Sequence, residues 1–125
     1  MEKDEEIEFW MPHPIYHIEA SNFGRFIIRT NQFGATKITL GTRNRRAGHR
    51  ASYEYSVKVQ PREGGKKVHK RAHQLVLECF LCFKYDDKTI VDHIDGDPEN
   101  NAIDNLRWVN YKENNQRCNR RTRSK

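Results

Sequence analysis

Two hydrophobic periods divide the chain. Residues 25–29 (RFIIR) predict a strand, and residues 37–40 (KITL) and 53–59 (YEYSVKV) alternate apolar and polar side chains as half-buried strands do. A turn at Asn22-Phe23-Gly24 precedes the first of them. Residues 41–50 (GTRNRRAGHR) are basic and bounded by glycine, which predicts a loop, and residues 61–65 (PREGG) end the β-rich part. Residues 10–16 (WMPHPIY) are broken by prolines and predict an extended segment whose aromatics cover a sheet edge.

The period then changes. Val68, Ala72, Leu75, Val76, Cys79 and Phe83 recur at steps of three and four, predicting one amphipathic helix over residues 68–83. The polar His69, Lys70, Arg71, Gln74 and Glu78 fall largely on its other side. Two short apolar runs follow, at residues 90–91 and 106–109, separated by a polar loop rich in turn-forming residues. Asn110 can cap a last helix, with Glu113 three residues on as in a capping box. That helix would place Tyr111, Asn114, Asn115 and Cys118 on one face, where inward amides need partners. The expected fold class is α+β: a β-rich module over residues 1–65, then a helix and a strand–loop–strand–helix unit over residues 66–125 that ends in a basic tail.

A chain of 125 residues is one small domain, or one unit with a thin accessory module. No apolar run approaches ~18 residues and the acidic N-terminus shows no signal-peptide pattern, so the expectation is a soluble, cytoplasmic protein without membrane contact. Three cysteines suggest no disulfide framework. Charge changes the picture more. The net charge is +6 but segregated: residues 25–71 hold thirteen Lys/Arg against two Glu, residues 74–114 four against nine acids, and residues 117–125 five with no acid. An acidic centre that holds a cation, flanked by basic stretches that hold a polyanion, accounts for this layout. Arg25, Arg43, Arg45, Arg46 and Arg50 in the first basic stretch and Arg117, Arg120 and Arg121 in the tail are the expected contacts to the polyanion's phosphates, which position without reading sequence.

The acidic centre holds the candidate chemistry. The first short strand delivers Asp92-His93, and the last helix bears Asn114. Carboxylate and amide oxygens are hard ligands that favour Mg²⁺ or Mn²⁺, and an imidazole can take a proton from water. Neighbours on a strand point to opposite faces, so Asp92 and His93 share a site only where the strand ends or bulges. Cys79-x-x-Cys82 has only Cys118 as a further thiol, which disfavours structural zinc.

VDHIDGDPENNAIDNLRWVNYKENN resembles the catalytic unit of HNH endonucleases, the ββα-metal (His-Me) finger nucleases, and within them the HNN-type branch found among phage and intron-associated homing endonucleases. The resemblance implies a metal-dependent DNA endonuclease, with His93 as general base, Asp92 and Asn114 holding one Mg²⁺ or Mn²⁺, and Asn105 tying the loop that orients His93. It also implies 5′-phosphate and 3′-hydroxyl ends. One site in a monomer or weak dimer would nick double-stranded DNA, with no protein partner in evidence. Residues 16–25, with S-N-F-G-R, look like the short module that precedes HNH units in such enzymes. The alternative is a DNA-binding or regulatory protein with a vestigial HNH unit.

Overall fold

The structure is a computed structural model and describes residues 7–29, 36–46, 52–81, 90–110 and 112. β1 (Trp10–Pro12), β2 (Glu19–Ser21), β3 (Phe26–Arg29) and β4 (Thr36–Thr39) form an antiparallel meander. β5 (Thr42–Arg45), β6 (Tyr53–Val59) and β7 (Val68–Arg71) form a second antiparallel sheet, which runs directly into helix α1 (Ala72–Leu81). β8 (Ile90–His93) and β9 (Leu106–Val109) pair as a two-stranded ribbon, and a 3₁₀ turn at Ile103–Asn105 leads into β9. The protein is α+β, mostly strand, with one α-helix among the described residues.

Three departures from the periodicity have physical causes. Residues 42–45 lie in a strand, not a loop: Thr-Arg-Asn-Arg offers no apolar alternation because all four are exposed, and pairing to β6 (Thr42↔Ser56 to Arg45↔Tyr53) supplies the order. Val68 is not helical. Its backbone pairs with Val59, which suits a β-branched residue, and the helix starts only at Ala72; Phe83 lies outside the described residues. Finally, α1 buries Leu77 and Glu78 as well as Ala72, Leu75, Val76 and Cys79, because β1, β2, β6, β7, β9 and the 3₁₀ turn surround it. A helix packed on several sides has no single polar face.

One core spans both halves of the chain. Ile18, Ala20, Phe26, Val57 and Val59 pack with Ala72, Leu75, Val76, Leu77, Leu106 and Trp108, so the cluster crosses residue 65 without a gap. Burying each large aliphatic or aromatic side chain contributes roughly 1.5–3 kcal/mol. A polar strut joins the same halves. His13, 1% exposed, accepts the backbone N–H groups of Ile15 and Tyr16 at Nδ1 (3.0 and 3.2 Å), so its proton sits on Nε2, 2.8 Å from Glu78 Oε1 on α1. Gln74 donates to the other oxygen of Glu78 at 3.1 Å. No helix among the described residues is long and apolar enough to cross a membrane.

Candidate active site

β8 is regular to its end. Asp92 lies opposite Arg107 and His93 opposite Leu106, and His93 is the last paired residue. The chain turns there: Gly96 N–H donates to the His93 carbonyl at 2.8 Å, and Gly96 has φ +79°, a conformation that suits glycine. The two neighbours engage different partners, as alternation requires. Asp92, 4% exposed, accepts Arg107 Nε at 3.0 Å on Oδ2. The half-buried His93 places Nε2 2.8 Å from Asn101 Oδ1, and its ring meets that of His73 on α1 edge to face, at 5.1 Å and 80°. His73 has its pKa pushed down to about 3, first by burial, then by His93, Arg71 and Arg46 nearby, and its buried Nδ1 has no hydrogen-bond partner. It is therefore neutral at neutral pH.

The loop between β8 and β9 is held from within. Asp95 is its keystone: Oδ1 accepts Asp97 N–H (2.8 Å) and Asn105 Nδ2 (2.9 Å), while Oδ2 accepts Asn100 Nδ2 (2.9 Å). These bonds, Asn100's foremost, hold the Asp95 carboxyl below its usual range. Asn105 answers with Oδ1 to Asp95 N–H and Nδ2 to the Asn100 carbonyl, both 2.9 Å, and its own carbonyl accepts Ile94 N–H at 2.8 Å. Asn105 thus acts on the loop next to His93 and has no direct bond to the imidazole among those described.

Of the candidate DNA contacts, Arg43 on β5 forks onto Glu99 of this loop (2.7 and 3.3 Å) and stacks 3.8 Å above Tyr53. Arg25 pairs with Glu8 (Nε to Oε2 2.8 Å) and lies 5.9 Å from the centre of the Trp10 ring. Arg45 is exposed on β5, and Arg46 is half-buried beside Ser52 and Glu54. Arg50, Arg117, Arg120, Arg121 and the ligand candidate Asn114 lie outside the described residues. Cys79 is buried and its thiol is pushed up to about 12, so it stays protonated; Cys82 and Cys118 also lie outside.

Among the described residues no group of three or more His, Cys, Asp or Glu could hold a metal. What they offer is the buried carboxylate of Asp92, which Arg107 meets at 3.0 Å. An oxygen donor of this kind suits a hard divalent ion.

Sequence reading missed three residues of this site. Asn101 gave no signal apart from Asn100 beside it, yet one is buried against His93 and the other bonds Asp95. Asp95 reads as a solvated loop acid or an outer-shell partner, and His73 as a helix residue near the DNA.

Comparison with known proteins converges on the same segment. Residues 70–116 match the family model for HNH endonuclease. The chain is 44% identical over 52 residues to the DNA endonuclease I-HmuI of Bacillus phage SP01, a match that covers 42% of this chain and 29% of that protein's length. No solved structure matches. The matched segment runs from the end of β7 through α1, β8, the Asp95 loop and β9, the elements that bring His73, Asp92, His93, Asn101 and Asn105 together. Over residues 70–116, then, the chain is similar to HNH endonucleases.

Proposed function

We propose that this protein is a metal-dependent DNA endonuclease of the homing type that nicks double-stranded DNA by hydrolysing a phosphodiester bond. The observation that carries the reading is His93 at the end of β8, fixed through Nε2, with the Asp92 carboxylate beside it in a segment similar to HNH endonucleases. His93 takes a proton from the attacking water as the water oxygen bonds to phosphorus and the bond from phosphorus to the 3′ oxygen breaks. β8, the loop, β9 and the segment bearing Asn114 make up the ββα-metal unit in this reading. Asp92 and Asn114 would hold one Mg²⁺ or Mn²⁺, which when bound neutralises charge on the phosphoryl oxygens and the leaving oxygen. The Asp95–Asn105 bonds tie the loop that follows His93. Arginines on β5 and in residues 117–125 supply sequence-independent phosphate contacts.

The test is supercoiled plasmid, including plasmid that carries DNA of the source genome, incubated with Mg²⁺, with Mn²⁺ or with EDTA. Open circle that forms only with metal supports a nicking enzyme, whereas linear product points to paired cutting. One observation favours a non-cleaving DNA-binding protein: the Arg107 guanidinium already sits on Asp92. Salt-sensitive DNA binding with no cut on any substrate would establish that second reading.

A further inference from the structure

The S-N-F-G-R turn at residues 21–25 has no part in the chemistry above, yet it lies against the active-site loop. Gly24 has φ +86°, and a Cβ there would fall 2.7 Å from both the carbonyl carbon and the oxygen of Asn101, and 3.1 Å from its Cβ. Beside this contact the Asn22 carbonyl accepts Ile103 N–H at 3.0 Å. The turn is itself rigidly built. Fully buried Ser21 accepts Phe23 N–H and Arg25 N–H on Oγ, each at 3.1 Å, and Gly24 N–H on its carbonyl at 3.0 Å. Asn22 is held in turn by the backbone of Phe9, which donates to its Oδ1 at 2.9 Å and accepts its N–H at 3.2 Å.

What the turn presses on is Asn101, 3% exposed, whose Oδ1 faces His93 Nε2 at 2.8 Å. A carbonyl oxygen only accepts, so Nε2 carries the proton and the lone pair of the neutral ring is on Nδ1. The Asn101 amide is not held by its own donors, because Nδ2 is buried with no partner. Its position comes from the backbone, and that backbone is packed by Gly24 and the Asn22–Ile103 bond.

We propose that Asn101, braced by the Ser21–Arg25 turn, is a positioning residue that holds His93 in the tautomer and orientation in which Nδ1 receives the proton of the attacking water. The inference rests on the reading of His93 as the base. It gives the N-terminal module a second role: the module completes the active site as well as offering basic surface to DNA. Residues far apart in sequence, at 22–24 and 93–101, thereby act as one unit.

Four full-length proteins test this: wild type, Asn101→Leu, Asn101→Asp and Gly24→Ala. Each is read by single-turnover cleavage rate, DNA affinity, and the ¹⁵N shifts of His93, which report the nitrogen that bears the proton. Asn101→Leu should slow cleavage by about 10–100-fold, as losses of orienting partners do, with DNA affinity within about 2-fold and His93 no longer confined to the Nε2–H form. Asn101→Asp keeps an acceptor at that place and should recover most of the rate and the tautomer. Gly24→Ala, which forces a Cβ into the Asn101 backbone, should slow cleavage in the same way with affinity kept. The proposal is overturned if Asn101→Leu keeps its rate and tautomer. It fails equally if aspartate rescues no better than leucine, or if Gly24→Ala weakens DNA binding at an unchanged rate. Should Gly24→Ala not fold, the two Asn101 variants decide alone. A parallel His93→Ala that still cleaves would show that the base reading had failed, while the ¹⁵N shifts would separately report whether Asn101 sets the tautomer.

Discussion

Replacing His73 by glutamine should remove an acid-sensitive component of stability. In the folded protein the His73 ring takes a proton only near pH 3, mainly because it is buried, against 6.5 when solvated. Between these values the unfolded chain binds more protons than the folded one, so stability from this group is complete above about pH 6.5 and falls as the pH drops toward 3. At about 1.4 kcal/mol per pH unit, the loss between pH 7 and pH 5 is about 2 kcal/mol. Urea unfolding of wild type and His73→Gln at those two pH values reads the difference directly, because every other titrating group is shared. The wild type should lose about 2 kcal/mol more than the variant. Equal losses would mean that His73 is solvated and charged when folded, and would refute the burial argument. They would also place a positive charge 5.1 Å from the His93 ring, where the structure requires a neutral one.

His13→Ala leaves two backbone N–H groups and Glu78 Oε1 without their bonds in the core and should destabilise by about 3–4 kcal/mol in denaturant unfolding. Glu78→Gln keeps the acceptor and should cost about 1 kcal/mol; if both changes cost the same small amount, the strut is not structural. Asn105→Ala removes three 2.9 Å bonds from the loop and should lower stability by about 2–3 kcal/mol while slowing cleavage; an unchanged melting temperature would contradict its tying role. Asp92→Ala and Asn114→Ala should each weaken Mn²⁺ binding in isothermal titration. For Asp92→Ala folding should change little, since the freed Arg107 side chain is half exposed and can be hydrated. Unaltered Mn²⁺ binding would remove that residue from the ligand set.

The strand of residues 53–59 was legible from its alternation, and the strands of residues 26–29 and around Asp92 and Trp108 as short apolar runs beside turn-forming residues. β5 was not, because order imposed by a neighbour's backbone leaves no mark on an exposed strand. Val68 carried a helical spacing by coincidence with Ala72, and only its ladder to Val59 decides for strand. At the site, Asp92 and His93 stood out because their residue types name a chemistry. Asn101 did not: its importance lies in contacts to His93 and to Gly24, 77 positions away, and nothing local separates it from Asn100. The His13–Glu78 strut is hidden for the same reason, at a separation of 65 residues.

His93 is proposed to do chemistry and not merely to help bind DNA. Cleavage and DNA affinity measured side by side for wild type and His93→Ala, with Mg²⁺ or Mn²⁺ present, address it most directly. The variant should bind DNA as wild type does and leave supercoiled plasmid intact. A variant that still converts plasmid to open circle at the wild-type rate would contradict the proposal.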